Sequence, residues 1–338
     1  MNKYLIYLFS FLSLLTITSC NSSGKVKHSN GINSNGNFEV VGYLFWSEGK
    51  GSMDNIPYQY LTTINYAFAI PAPDNSGNLM PLSHPDTLRS LVRNAHEYGV
   101  KVFVSVGGFS IGDGPGIDTR FEVLANSEIT RTNFTHSVMQ MVRQFDLDGI
   151  DIDWEFPDPV EPSASDFVLL MEQLRDSLHK TGKKLTAAVE SHHLPYVYGI
   201  KDEVFQIADW INIMGYDNEG IGSHRPHLIT PHSPYWLAVE SFDYWVTKRG
   251  LPKEKAVMGV PFYGKGTGKG GSYRSLLARG ADPYADVYDS IYYNGIKTIQ
   301  QKTKLALKRG GGIMIWEITG DTTGEHSLLK AIYDARKK

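Results

Sequence analysis

The chain has 338 residues, a formal net charge of −3 and 12% aromatic side chains. No basic run stands out, so nothing points to nucleic acid or to an anionic membrane surface as a partner. Many of the aromatics lie beside Gly and Asn, which suits a site that stacks on flat, partly apolar ligands such as sugars.

Lys3 precedes an apolar run from Tyr4 to Ile17. It is too short for a comfortable membrane span and reads as an export signal. The run closes on Ile17-Thr18-Ser19-Cys20, which resembles the lipobox of bacterial lipoproteins. Cys20 is the only cysteine, so it has no second thiol to pair with, and lipid attachment gives it a role. The expectation is a signal peptide over residues 1–19 and a lipidated Cys20 with a flexible tether over 20–37, rich in Ser, Asn and Gly. Membrane contact through that lipid would place the protein in a bacterial cell envelope.

Residues 38–338 then form one domain, of a size that suits a barrel or a large α/β sheet. Apolar or β-branched runs recur at 40–45, 63–69, 100–106, 149–155, 185–190, 210–216, 257–263 and 312–318. Helical patterns separate them at 88–98, 129–145, 167–178, 204–208, 236–248 and 299–308, with a last at 328–335. The first crossover, 54–61, is only weakly helical. Phe167, Leu170, Met171, Leu174 and Leu178 keep the spacing of a helical stripe packed on a sheet. Gly99, Gly182, Gly250 and Gly310 stand where left-handed helix endings favour glycine. Eight alternations of strand and helix predict a closed (β/α)8 TIM barrel, with an open doubly wound sheet as the alternative. The chemistry of such a barrel sits at the C-terminal strand ends.

The fourth run, Asp148-Gly149-Ile150-Asp151-Ile152-Asp153-Trp154-Glu155, is organised for chemistry. As a strand it sends Asp151, Asp153 and Glu155 to one face and Ile150, Ile152 and Trp154 to the other. Stacked carboxyls repel and are costly to desolvate, so at least one holds a proton with a raised pKa. Asp148 precedes the inward run and reads as a structural acid.

This octet matches the D-x-x-D-x-D-x-E signature of the family 18 glycoside hydrolases, the chitinase family. Ile64-Asn65-Tyr66-Ala67-Phe68-Ala69, Ser105-Val106-Gly107-Gly108, Met214-Gly215-Tyr216-Asp217, the 259–264 segment GVPFYG and the 311–317 segment GGIMIWE follow in that family's order. The resemblance implies that Glu155 is the proton donor. By the same resemblance Asp153 orients the 2-acetamido group and stabilises an oxazolinium ion, Asp151 shares a proton with Asp153, and Tyr216 hydrogen-bonds the acetamido group. Met214 and Asp217 would be further pocket residues and Trp316 the floor beneath the reacting sugar, with Tyr43, Phe68 and Ser105 as the lower wall. The family is an exception to the two-carboxylate scheme because the substrate itself supplies the nucleophile.

The chain departs from the family pattern in two places. Only about 50 residues separate Tyr263 from Gly312, where deep-cleft members insert a larger α+β domain, so a shallower groove is expected. Phe109 stands where tryptophan often follows the SVGG segment.

The glycine-rich 266–271 segment contains a G-x-G-x-x-G but no apolar helix follows at once, so a flexible loop is expected and no nucleotide cofactor. His192, His193, His224, His227 and His232 lack metal-ligand spacing and are expected as solvated loop histidines, with no metal. Trp236 and Trp245 lie in a helical pattern and suit core packing, and Trp46 is a candidate outer sugar platform. The expected substrate is a β-1,4-linked N-acetylglucosamine polymer, cleaved without a cofactor by a monomer. An endo-β-N-acetylglucosaminidase acting on N-glycans and a chitinase-like lectin are the alternatives.

Overall fold

The computed structural model describes residues 38–46, 53–109, 111, 118–192, 195–218 and 231–337. The expected signal peptide, Cys20 and tether lie outside these residues, as do His193, His224 and His227. Among the described residues, no helix is long and apolar enough to cross a membrane.

Eight parallel strands close into a barrel. They are β1 (Glu39–Phe45), β2 (Thr63–Ala69), β3 (Lys101–Gly107), β4 (Gly149–Asp153), β5 (Lys184–Glu190), β6 (Trp210–Met214), β7 (Ala256–Pro261) and β8 (Gly312–Trp316). Closure comes from β1 pairing with β2 on one side and β8 on the other, with Glu39 opposite Gly312. All eight expected strands are present, several ending a residue or two earlier than the hydrophobic runs do. The expected TIM barrel is therefore the observed one.

The helices cover the barrel as the sequence pattern requires. On α4 (Ser163–His179) the stripe Phe167, Leu170, Met171, Leu174 and Leu178 is buried. The weak first crossover is two short 3-10 turns, Met53–Asn55 and Tyr58–Tyr60. Gly99, Gly182 and Gly250 have φ of 71°, 71° and 81°, as expected for helix endings. Gly310 does not: its φ is −133°, and what demands glycine there is space, since a Cβ would lie 2.6 Å from the Ala256 carbonyl oxygen.

The interval between β7 and β8 is more structured than a bare connection. Strands Val287–Tyr288, Ile291–Tyr292, Tyr263–Gly266 and Lys269–Ser272 form a small antiparallel sheet in that order, followed in the chain after its first hairpin by helix Tyr273–Ala278. The glycine-rich 266–271 segment is thus a tight hairpin and not a loose loop. Lys265 pairs with Gly270 and Gly266 with Lys269 across a two-residue turn, and any side chain on Gly266 would meet the Ser290 carbonyl at 2.2 Å. Trp245 is fully buried, as expected, in a π-helical turn over Asp243–Lys248. Trp236, expected in the core, is 46% exposed instead, because its helix turns that position outward.

Candidate active site

Strand β4 delivers the alternation its sequence demands. Asp151 and Asp153 point into the barrel, 0% and 3% exposed, while Ile150, Ile152 and Trp154 pack outward beneath the helices. Trp154 lies flat on Phe121, with centroids 5.2 Å apart, and donates its indole N–H to Asp118 at 2.6 Å. Glu155 follows immediately beyond the strand end. Behind it, Gly107 and Gly108 let β3 approach: the Gly108 N–H donates to the Asp153 carbonyl at 2.8 Å, and Gly107 sits at φ 117° with no room for a Cβ.

Asp151 is the anchor of the column. Tyr43 and Ser105 donate to one carboxyl oxygen at 2.6 and 2.8 Å, and Thr186 and Asn212 to the other at 2.6 and 3.1 Å. Burial raises its pKa and these four donors oppose the rise. Ser105, expected on the pocket wall, is wholly buried and serves Asp151 from beneath. Asp153 contrasts with it: among the described residues its Oδ1 has no hydrogen-bond partner. Burial, then the charges of Glu155 and Asp151, hold its pKa well above the usual carboxylate range. Glu155 is pushed to about 8, first by burial, then by Asp217 and Glu190, while a backbone hydrogen bond from Phe109 draws it down. A carboxyl with that pKa carries a proton at neutral pH, as a general acid must.

Asp217 takes the opposite state. Burial pushes it up, but the His232 ring, the Lys265 ammonium and the Tyr263 hydroxyl outweigh burial and bring it down to about 2. Their contacts are 3.2, 2.7 and 2.6 Å. His232 is therefore buried at 1% exposure, not solvated as expected, because it is consumed as an Asp217 partner. His192 also leaves solvent, bonding Glu240 at 3.1 Å. Among the described residues no histidine, cysteine and acid cluster could hold a metal.

Above the column opens a cavity of about 580 Å3. Trp316, Phe68, Phe45 and Tyr43 make one side, with Phe68 stacked on Trp316 at 5.7 Å and Tyr43 at 5.5 Å from it. Asp153, Glu155, Glu190, Met214, Tyr216, Asp217 and Lys265 line the rest, with Phe109 and Phe156 at the rim. The expected residues Tyr43, Phe68, Met214, Tyr216, Asp217 and Trp316 thus meet in one place. The Tyr216 hydroxyl, its pKa raised by burial and by the surrounding acids, stays a neutral donor. Trp46 lies outside this cavity, in a second hollow with Tyr60 and Arg274.

Glu190, Lys265, Tyr263 and His232 escaped the sequence reading. Glu190 had a signal, since it is the last residue of the fifth strand and strand ends carry the chemistry. The others reach the site from loops and from the small sheet, whose direction no periodicity encodes.

The family model for glycosyl hydrolases family 18 matches residues 39–321. The chain belongs to that family. It is similar to the family 18 chitinase ChiB from the chitin utilization locus of Flavobacterium johnsoniae, at 30% identity and TM-score 0.75, over 88% of this chain and 93% of that one. It also resembles a chitinase from Bacteroides thetaiotaomicron, at 26% identity and TM-score 0.76, over 88% and 96%. The endochitinase of Manduca sexta is 29% identical over 245 residues, which are 64% of this chain and 42% of that protein. The chain thus spans less than half the length of that curated relative.

Proposed function

We propose that the protein hydrolyses β-1,4-linked N-acetylglucosamine in chitin or chito-oligosaccharides with retention of configuration. The observation that carries this reading is the graded column on β4 beneath a tryptophan-floored cavity. Asp151 accepts from four donors, Asp153 has an oxygen without a hydrogen bond among the described residues, and Glu155 is protonated near neutral pH. A sugar stacked on Trp316 would present its 2-acetamido group to Asp153 and Tyr216. Glu155 gives its proton to the glycosidic oxygen as the acetamido oxygen attacks the anomeric carbon and the C1–O bond breaks. Asp153, sharing a proton with Asp151, stabilises the resulting oxazolinium cation. Water, giving a proton to the Glu155 carboxylate, then adds to C1 as the bond between C1 and the acetamido oxygen breaks, which restores the acetamide and gives the β-anomer.

The reading is tested with Glu155→Gln on chitin oligomers. Turnover is expected to fall by roughly 10²–10⁴-fold or more, since general acid catalysis is lost, while sugar binding persists. Unimpaired turnover would remove Glu155 from its role, and fresh α-anomers seen by NMR would remove the oxazolinium route. A high-mannose glycopeptide run in parallel discriminates the N-glycan reading. Binding without turnover by the wild type would favour a lectin.

Cys20 we propose as the site of a lipid anchor that holds a monomeric enzyme at the cell envelope, supported by the apolar run ending at Ile17 and by the single cysteine. Intact mass of the protein from its native membrane tests this: a mature chain beginning elsewhere than at an acylated Cys20 rejects it.

A further inference from the structure

Lys302 is a lysine in a place that packing alone would give to an apolar side chain. It lies on helix Ile296–Arg309, which precedes β8, and is wholly buried. Taking an ammonium out of water is costly unless its donors are met. Its Nζ donates to the Ser233 carbonyl, the Ser233 hydroxyl and the Asn294 side-chain carbonyl, each at 2.7 Å. Asn294 closes the ring by donating to that same Ser233 carbonyl at 2.8 Å. Asp286 acts on the amine as a countercharge and fixes the start of the helix, accepting from the Gly295 N–H at 2.8 Å and the Thr298 hydroxyl at 2.6 Å. Lys302 and Asn294 thus converge on one buried residue, Ser233.

Ser233 in turn reaches the site. Its hydroxyl donates to the Gly215 carbonyl at 2.6 Å. One residue earlier, the His232 carbonyl accepts from the Asn218 N–H at 3.0 Å and the His232 ring meets the Asp217 carboxylate at 3.2 Å. His232 and Ser233 therefore clip segment 215–218 at Gly215, at Asp217 and at Asn218. That segment needs holding. Asp217 has φ 58°, a left-handed conformation that residues other than glycine visit rarely and keep when their surroundings determine it. Its placement matters to the reaction, because the ionised Asp217 carboxylate is the charge that acts most strongly on Glu155.

We infer that Lys302 is a positioning residue for the reaction, locking Ser233 so that His232 and segment 215–218 hold the Asp217 carboxylate in its place beside Glu155. This rests on the hydrolase reading proposed above. The effect is transmitted from Lys302 to Ser233, from Ser233 to Gly215 and His232, and from these to Asp217. A lysine that served the fold alone would raise stability and leave the reaction of the folded enzyme as it is.

The test is Lys302→Met, which keeps an apolar stem and removes the three donors, assayed on soluble chito-oligosaccharides well below its melting temperature. In the folded variant kcat is expected to fall by roughly 10- to 100-fold, the scale of a displacement of about 1 Å at the reacting groups, while KM changes less. The same substitution is then made in an Asp217→Asn background. There it should change kcat by no more than about twofold, the scatter of independent sites, because the charge that Lys302 positions is gone. An unchanged kcat in folded Lys302→Met, or the same loss in both backgrounds, overturns the proposal. If Lys302→Met fails to fold, Ser233→Ala decides, since it removes the hydroxyl that joins Lys302 to Gly215 while Asn294 still holds the carbonyl. It should lower kcat in the wild type and not in Asp217→Asn, and the same two contrary results overturn the proposal. A wild type that binds the oligomers without cleaving them instead defeats the underlying hydrolase reading and this proposal with it.

Discussion

Asp217 and Glu155 line one cavity with protonation states driven apart. Asp217 meets three donors while Glu155 meets two neighbouring negative charges and burial, so one carboxyl falls to about 2 and the other rises to about 8. One cavity thus holds a carboxyl that keeps its proton, Glu155, beside one that stays ionised, Asp217. It also couples them. Replacing Asp217 by Asn removes the largest charge acting on Glu155 and leaves the Lys265 ammonium uncompensated, and both effects lower the Glu155 pKa. The alkaline limb of the kcat/KM profile is therefore expected to move to lower pH in Asp217→Asn, by roughly one unit or more, as for loss of one nearby like charge. A limb that stays in place, measured over the alkaline range with a soluble oligomer, would separate the two carboxyls electrostatically.

At the scale of elements, the SVGG segment shows how a motif is dictated by space. Gly107 holds φ 117°, and a Cβ there would lie 2.3 Å from the Asp153 carbonyl oxygen. Gly107→Ala is expected to cost about 2–4 kcal/mol, combining an unfavourable backbone with a clash that must displace the end of β4. Because the displaced residue is Asp153, turnover should fall by more than substrate affinity does; equal losses, or a melting temperature unchanged in thermal scans, would show that the strand end absorbs the methyl. Another element is set from below. Lys302, wholly buried on helix Ile296–Arg309, donates to the carbonyl and hydroxyl oxygens of Ser233 and to Asn294, each at 2.7 Å. Ser233 in turn donates to the Gly215 carbonyl at 2.6 Å, next to Tyr216. Burial brings the amine down to about 7, while three acceptors suit an ammonium with three N–H donors. None of this is visible in the helical pattern, where Lys302 reads as one more surface lysine. The strands and the acidic column were legible because alternation reports burial directly. The small sheet after β7, the hydrogen-bonded role of Ser105 and the burial of His232 were not, since each depends on which distant chain segment arrives as its partner.

For the whole molecule, the same column that makes the site reactive burdens the fold. A barrel interior is normally filled by apolar layers, and here its upper layer brings the carboxyls of Asp151, Asp153 and Glu155 close together, where burial and mutual repulsion act on Asp153. The consequence is a stability that depends on pH with a definite sign. The folded Glu155 pKa, about 8, lies above the unfolded value of about 4.3. Below that unfolded value the group is protonated in both states and its contribution to stability is fully present. Between the two values the unfolded chain releases the proton and the folded chain keeps it, so stability is lost as pH rises and the loss is complete beyond the folded pKa. Asp153, raised for the same reasons, adds a term of the same sign. Glu155→Gln cannot ionise, so it should melt close to the wild type at pH values near or below the unfolded pKa and progressively higher than the wild type as pH approaches the folded one. Paired melting curves across that window measure it. If the two proteins keep a constant difference at every pH, Glu155 titrates alike in the folded and unfolded states, and neither the raised pKa nor the acid role built on it would survive.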